Sequence, residues 1–101
     1  MPKQDGAGRA PNPIAILERQ RADKQRTLGD EHPDTLAIRF NLAGAYQEAG
    51  RTKDAISTLK PLAADLERIL GAEHANTLTT RFNLAGAYQA ARRTDQAIAI
   101  L

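Results

Sequence analysis

The stretch RFNLAGAYQ, residues 39–47, recurs letter for letter at residues 81–89. Working outward from the two copies, Leu28 falls on Leu70, which sets a period of 42 residues. When residues 28–59 are laid on residues 70–101, 21 of the 32 pairs are identical, which marks an internal duplication. A weaker match reaches backward: Ile14 pairs with Ile56, Leu17 with Leu59, Asp23 with Asp65 and Arg26 with Arg68.

Each unit reads as two helices, here termed A and B. Helix A starts near HPDTL (residues 32–36) and HANTL (residues 74–78) and runs over 33–49 and 75–91. Pro33 suits a first helical position, where no N–H bond is needed, and Asp34 favours the positive end of the helix dipole. His32 and His74 stand where a capping residue belongs, and Thr35 and Thr77 fall in the first turn. Gly50 supplies a left-handed residue to close the first A helix. Helix B runs over 52–70, with Thr52 and Thr94 as expected N-caps. An earlier B helix covers 12–28, capped by Asn12 with Pro13 at its first position and stopped by Gly29. A last, truncated B helix covers 94–101. Residues 1–11, rich in Gly, Pro and charge, read as a disordered tail.

Composition agrees with helices. Of the 101 residues, 42% are hydrophobic but only 4% aromatic, so the core must be built from Leu, Ile and Ala. The formal net charge of +2 is too small to argue for nucleic acid, and most basic residues are interleaved with acids. Without cysteine, neither disulfides nor thiolate metal sites can form. No apolar run approaches a membrane span, and the N-terminus lacks the apolar stretch of a signal peptide, so a cytoplasmic protein is expected.

NLAGAYQEAGRTKDAI (residues 41–56) and NLAGAYQAARRTDQAI (residues 83–98) resemble the tetratricopeptide repeat family. The 42-residue period with LGDEHPDTL is similar to the longer repeats of kinesin light chains and their bacterial relatives. The resemblance covers roughly residues 14–101. It implies an all-α, right-handed solenoid of antiparallel helix pairs, here two to two and a half repeats, with a concave groove for peptides or partner proteins. Three positions depart from the pattern: Arg92 replaces the turn glycine, Ala75 replaces Pro33, and Pro61 falls inside a B helix, where it is expected to kink or strain it.

At about 100° per residue, Ala37, Asn41, Gly44 and Glu48 share one stripe of helix A, flanked by Phe40 and Gln47. The second copy repeats it with Thr79, Asn83, Gly86 and Ala90, flanked by Phe82 and Gln89. Leu42, Ala43, Ala45, Tyr46 and Ala49 fall on the opposite, core side. A glycine inside a helix costs about 1 kcal/mol relative to alanine, and the chain accepts that twice. Either the helices approach closely there, or the glycines form a groove floor open to a ligand backbone. Asn41 and Asn83 lie one turn earlier, and an Asn amide can pair with both N–H and C=O of an extended peptide. The resemblance implies such an Asn ladder at these two positions. Phe40 and Phe82 read equally as a groove wall or as packing between repeats. Arg39 and Arg81 are expected to pair with a B-helix acid such as Asp23 or Asp65.

The leading reading is therefore a protein-interaction module that binds a partner segment through Asn41, Asn83, Gly44, Gly86, Phe40, Phe82, Gln47, Gln89 and Glu48. The alternative is a structural spacer, or a fragment that oligomerises through its apolar C-terminal residues. Helical-repeat RNA binding fits poorly with the 42-residue period and the modest charge. No catalytic constellation, cofactor motif or metal site is read: His32 and His74, beside Glu31 and Glu73, lie a full repeat apart.

Overall fold

The computed structural model describes residues 12–92, which form four helices: α1 (Pro13–Leu28), α2 (Pro33–Glu48), α3 (Thr52–Leu70) and α4 (Ala75–Ala90). The expected tail over 1–11 and the short helix over 94–101, with its cap Thr94, lie outside these residues. Three of the four helices begin on a side-chain acceptor. Asn12 Oδ1 accepts from the Ile14 N–H at 2.9 Å, and His32 and His74 accept through Nδ1 from the N–H groups of Asp34 and Asn76, at 3.1 and 3.0 Å. These bonds satisfy N–H groups that have no partner inside the helix.

The fourth start differs from expectation. Arg51, not Thr52, holds the N-cap position of α3 and makes no side-chain cap bond; Thr52 is already helical. Arg51 has other commitments there. Its Nε donates to Asp54 Oδ2 at 2.8 Å, and its guanidinium lies 4.8 Å from the centre of the Tyr46 ring. α2 and α4 end at Glu48 and Ala90, a residue earlier than the repeat pattern suggested, with Ala49 and Ala91 as caps. α3 runs through Pro61 to Leu70. Pro61 and Ser57 are both exposed, so the Ser57 carbonyl, which loses its helical donor to proline, lies where water reaches.

The turn after each A helix needs a left-handed residue. Gly50 provides it at φ +75°; in the second copy Arg92 takes the same conformation at φ +63°, although a side chain makes it costly.

Each helix packs on its neighbours in the chain, α1 on α2, α2 on α3 and α3 on α4, giving an all-α helical-repeat solenoid of about two repeats. Leu42, Leu59 and Leu62 are fully buried, and Ala43, Ala55, Ala85 and Ala87 keep the backbones close. α3 lies between two helices and buries residues from Ala55 to Leu66, whereas α1 has one neighbour and buries only Ile14 completely. Thr35, Thr77 and Thr80 are also fully buried, and their hydroxyls have no hydrogen-bond partner.

Polar ties join the layers. Tyr46 donates its hydroxyl to Glu18 Oε2, linking α2 to α1. Burial, then this carboxylate, pushes the Tyr46 hydroxyl up to about 12. The buried Arg39 bridges to Asp65 Oδ2 at 2.9 Å and donates to the Asp30 carbonyl at 3.0 Å, linking α2 to α3 and to its own preceding loop. Arg68 pairs with Asp65 Oδ1 at 3.0 Å and with Glu31, and Glu31 is the larger cause of its raised pKa. Of the two acids expected to meet Arg39, Asp65 does so; Asp23 pairs instead with Arg26 on its own helix. Arg81 is also engaged within the molecule.

Candidate functional site

The stripe of α2 that carries Ala37, Asn41, Gly44 and Glu48 faces outward: Ala37, Asn41 and Glu48 are exposed and Gly44 is half-buried. On α4, Thr79, Gly86 and Ala90 are exposed and Asn83 is half-buried. The two glycines do not mark close helix contacts. A methyl group built on Gly44 or Gly86 meets no atom of the rest of the fold within 4 Å, the helix's own backbone aside. Space, not crowding, lies over both positions.

α2 and α4 approach each other at one level and splay apart at another. Where they approach, Gln47 Nε2 donates to the Asn83 carbonyl at 3.4 Å. Toward their N-terminal halves they separate around an open cleft of about 630 Å³. The C-terminal end of α3 contributes Leu66, Ile69 and Leu70 to this cleft. α2 contributes Leu36, Ala37, Phe40 and Asn41, and α4 contributes Asn76, Thr79 and Thr80, with Glu31, Pro33 and His74 completing the lining. The result is a largely apolar hollow edged by the amides of Asn41 and Asn76, the Thr79 hydroxyl, the Glu31 carboxylate and the His74 ring, the composition of sites that take one apolar group and orient it by a few polar contacts.

The candidate residues divide among four places. Phe40 and Asn41 line the cleft. Gln47 and Asn83 meet each other beyond it, so the Gln47 amide already has a partner between the helices. Gly44 and Glu48 continue the α2 stripe. Phe82, Gly86 and Gln89 lie on the exposed part of α4, where Phe82 is 69% exposed against a half-buried Phe40. The two phenylalanines, identical in sequence, thus have different surroundings.

Leu36, Ile69, Leu70, Asn76, Thr79 and Thr80 line the cleft but were absent from the sequence-derived set. Two signals in the sequence pointed to them. Ile69 and Leu70 are adjacent at a helix end, and one helix face cannot bury both. Thr80 stands where the first copy has Ile38, placing a hydroxyl in a core position. Among the described residues, no three His, Asp or Glu side chains gather to hold a metal ion, and no helix is long and apolar enough to cross a membrane.

A stack of short helix pairs with an open face on its A helices defines a helical-repeat protein. The tetratricopeptide repeat model matches residues 7–60, and the chain belongs to that family. Its repeats are kinesin-light-chain-like. The crystal structure of the nearly identical TPR-like repeats of a Podosopora anserina kinesin light chain superposes with a TM-score of 0.81 at 34% identity, covering 86% of this chain. A single-residue variant of that protein gives 0.81 at 32% identity. This chain spans 41% of the length of each of those structures. No curated protein matches. Repeats of this family generally mediate protein–protein interaction.

Proposed function

We propose that the chain is an interaction module that binds an extended segment of a partner protein along the outward stripe of α2 and α4. The observation that carries this reading is the free space over Gly44 and Gly86, one turn beyond Asn41 and Asn83. A peptide backbone can approach a helix only where no side chain intervenes, and an amide one turn away can then bond its N–H and C=O groups. The cleft beside Asn41 suits one apolar side chain of that segment, with Phe40, Leu36 and Ile69 around it. Phe82, Gln89 and Glu48 would then act on selectivity, and Gln47 would set the spacing of the two helices.

The test is the double substitution Asn41→Ala with Asn83→Ala. A peptide selected from a display library on the unmodified protein is titrated calorimetrically into both proteins. Loss of two or more hydrogen bonds to the peptide backbone should weaken binding by about tenfold or more. If the doubly substituted protein keeps its helical circular dichroism and binds the peptide equally well, the Asn ladder is wrong.

A further inference from the structure

The charges on the outward face of the A helices have one sign. α2 and α4 each contain a single basic residue, Arg39 and Arg81. Neither is available to a ligand. Arg39 is buried and spends its guanidinium on Asp65 and the Asp30 carbonyl; Arg81 is half-buried and already engaged within the molecule. The acids of α2 are placed differently. Asp34 and Glu48 share the stripe of Ala37, Asn41 and Gly44, and both are exposed. Among the described residues, no cation stands within salt-bridge distance of either. The cleft adds Glu31, whose partner Arg68 is shared with Asp65. α2 lies inside the described stack, with α1 and α3 packed against it and α4 beside it, so these surroundings are internal to the fold. The positive ends of α2 and α4 oppose the acids, but each amounts to only about half an elementary charge. His32 and His74 already occupy an N–H group at each of those ends. At the other end of α2, the negative end of the dipole adds to Glu48.

We infer the class of partner, an inference that rests on the peptide-binding reading above: the bound segment is basic. It carries a large apolar side chain for the cleft, a Lys or Arg that pairs with Asp34 at the cleft's edge, and a second that pairs with Glu48 beyond Gly44. An acidic segment would meet only like charges on this stripe and no uncommitted cation of α2 or α4. The apolar side chain among Leu36, Phe40, Leu66 and Ile69 supplies most of the affinity. The exposed ion pairs are weak one by one, so they choose among apolar segments and hasten their encounter with the cleft.

Peptides selected from a display library on the unmodified protein test this. The recovered sequences should pair a large apolar residue with Lys or Arg. Calorimetric affinity for a synthetic copy of the leading peptide should fall as salt is raised. Asp34→Lys and Glu48→Lys should each weaken its binding by about fivefold, and together by more than about tenfold. A second synthetic peptide, with Glu in place of each base, should bind the doubly substituted protein better than the unmodified one. Both positions are exposed, and Glu48→Lys suits the C-terminal end of a helix. Asp34→Asn replaces Asp34→Lys if circular dichroism shows α2 disturbed. Peptides recovered without bases, or a basic peptide that binds the charge variants as it binds the unmodified protein, would overturn the proposal and leave the Asn ladder standing. Asn41→Ala with Asn83→Ala reports on the ladder alone, so the two failures are told apart. A library that yields no binder overturns both.

Discussion

Gly44 and Gly86 occupy helix interiors where alanine would fit without touching anything else in the fold. On stability alone, each glycine is the poorer choice by about 1 kcal/mol. Gly44→Ala with Gly86→Ala should therefore raise the midpoint of thermal unfolding. If a ligand backbone lies over the two positions, the same change should weaken peptide binding. A rise in stability with unaltered affinity would return both glycines to mere tolerance. The neighbouring Asn41 was identifiable from the sequence as polar and outward, because helical spacing separates it cleanly from Leu42 and Tyr46. That Gln47 spends its amide on the Asn83 carbonyl was not, because that bond joins residues 36 apart in the sequence.

At the scale of the element, helix ends follow local chemistry closely. Asn12, His32 and His74 all cap through their side chains, and the bond in each case spans two residues, so nothing distant can disturb it. The start of α3 is different because its first turn is shared with Tyr46 of the preceding helix, and Arg51 answers to that ring and to Asp54. The A–B turn of the second repeat carries a measurable defect. Arg92 at φ +63° adopts a conformation that costs an L-residue with a side chain about 1–2 kcal/mol. Arg92→Gly should recover about 1 kcal/mol, read as a higher urea midpoint with an unchanged slope. No gain would mean that interactions of the arginine side chain offset its backbone strain.

For the whole molecule, stability depends on the junctions between helices that are separated by loops. The first is fastened by the Tyr46 hydroxyl on Glu18, with Leu17 and Ile14 beneath it. The folded molecule holds the Tyr46 proton up to about pH 12, above the ordinary value of 10.0. The corresponding stabilisation is complete below pH 10 and is lost as pH rises through about 12, where the phenolate forms beside a carboxylate. Denaturant midpoints measured across this alkaline range should fall, and Tyr46→Phe should reduce the fall. If Tyr46→Phe removes an absorbance transition centred near pH 10 from the tyrosine titration, the reading is contradicted. Tyr88 repeats Tyr46, but Lys60 stands one period after Glu18, so the second tyrosine lacks the equivalent carboxylate.

The sequence alone determined the repeat, the helix pairs and which side of each A helix is core. All three depend on periodicity, and periodicity is carried by residues within a turn or a repeat of one another. The second copy removed the ambiguity that a single amphipathic segment would have left. Only the tertiary structure decided how α2 and α4 diverge, and with that the existence of the cleft. The Gln47–Asn83 contact lies where the two helices approach, and Ile69 and Leu70 line the cleft where they part, residues brought together by the path of α3. It also decided that Phe40 and Phe82, which share the same nine-residue stretch, differ in burial: Phe40 is half-buried and Phe82 is exposed. Phe40 has α3 and α4 across its hollow, because what surrounds a side chain depends on the elements the fold brings beside it and not on its own segment.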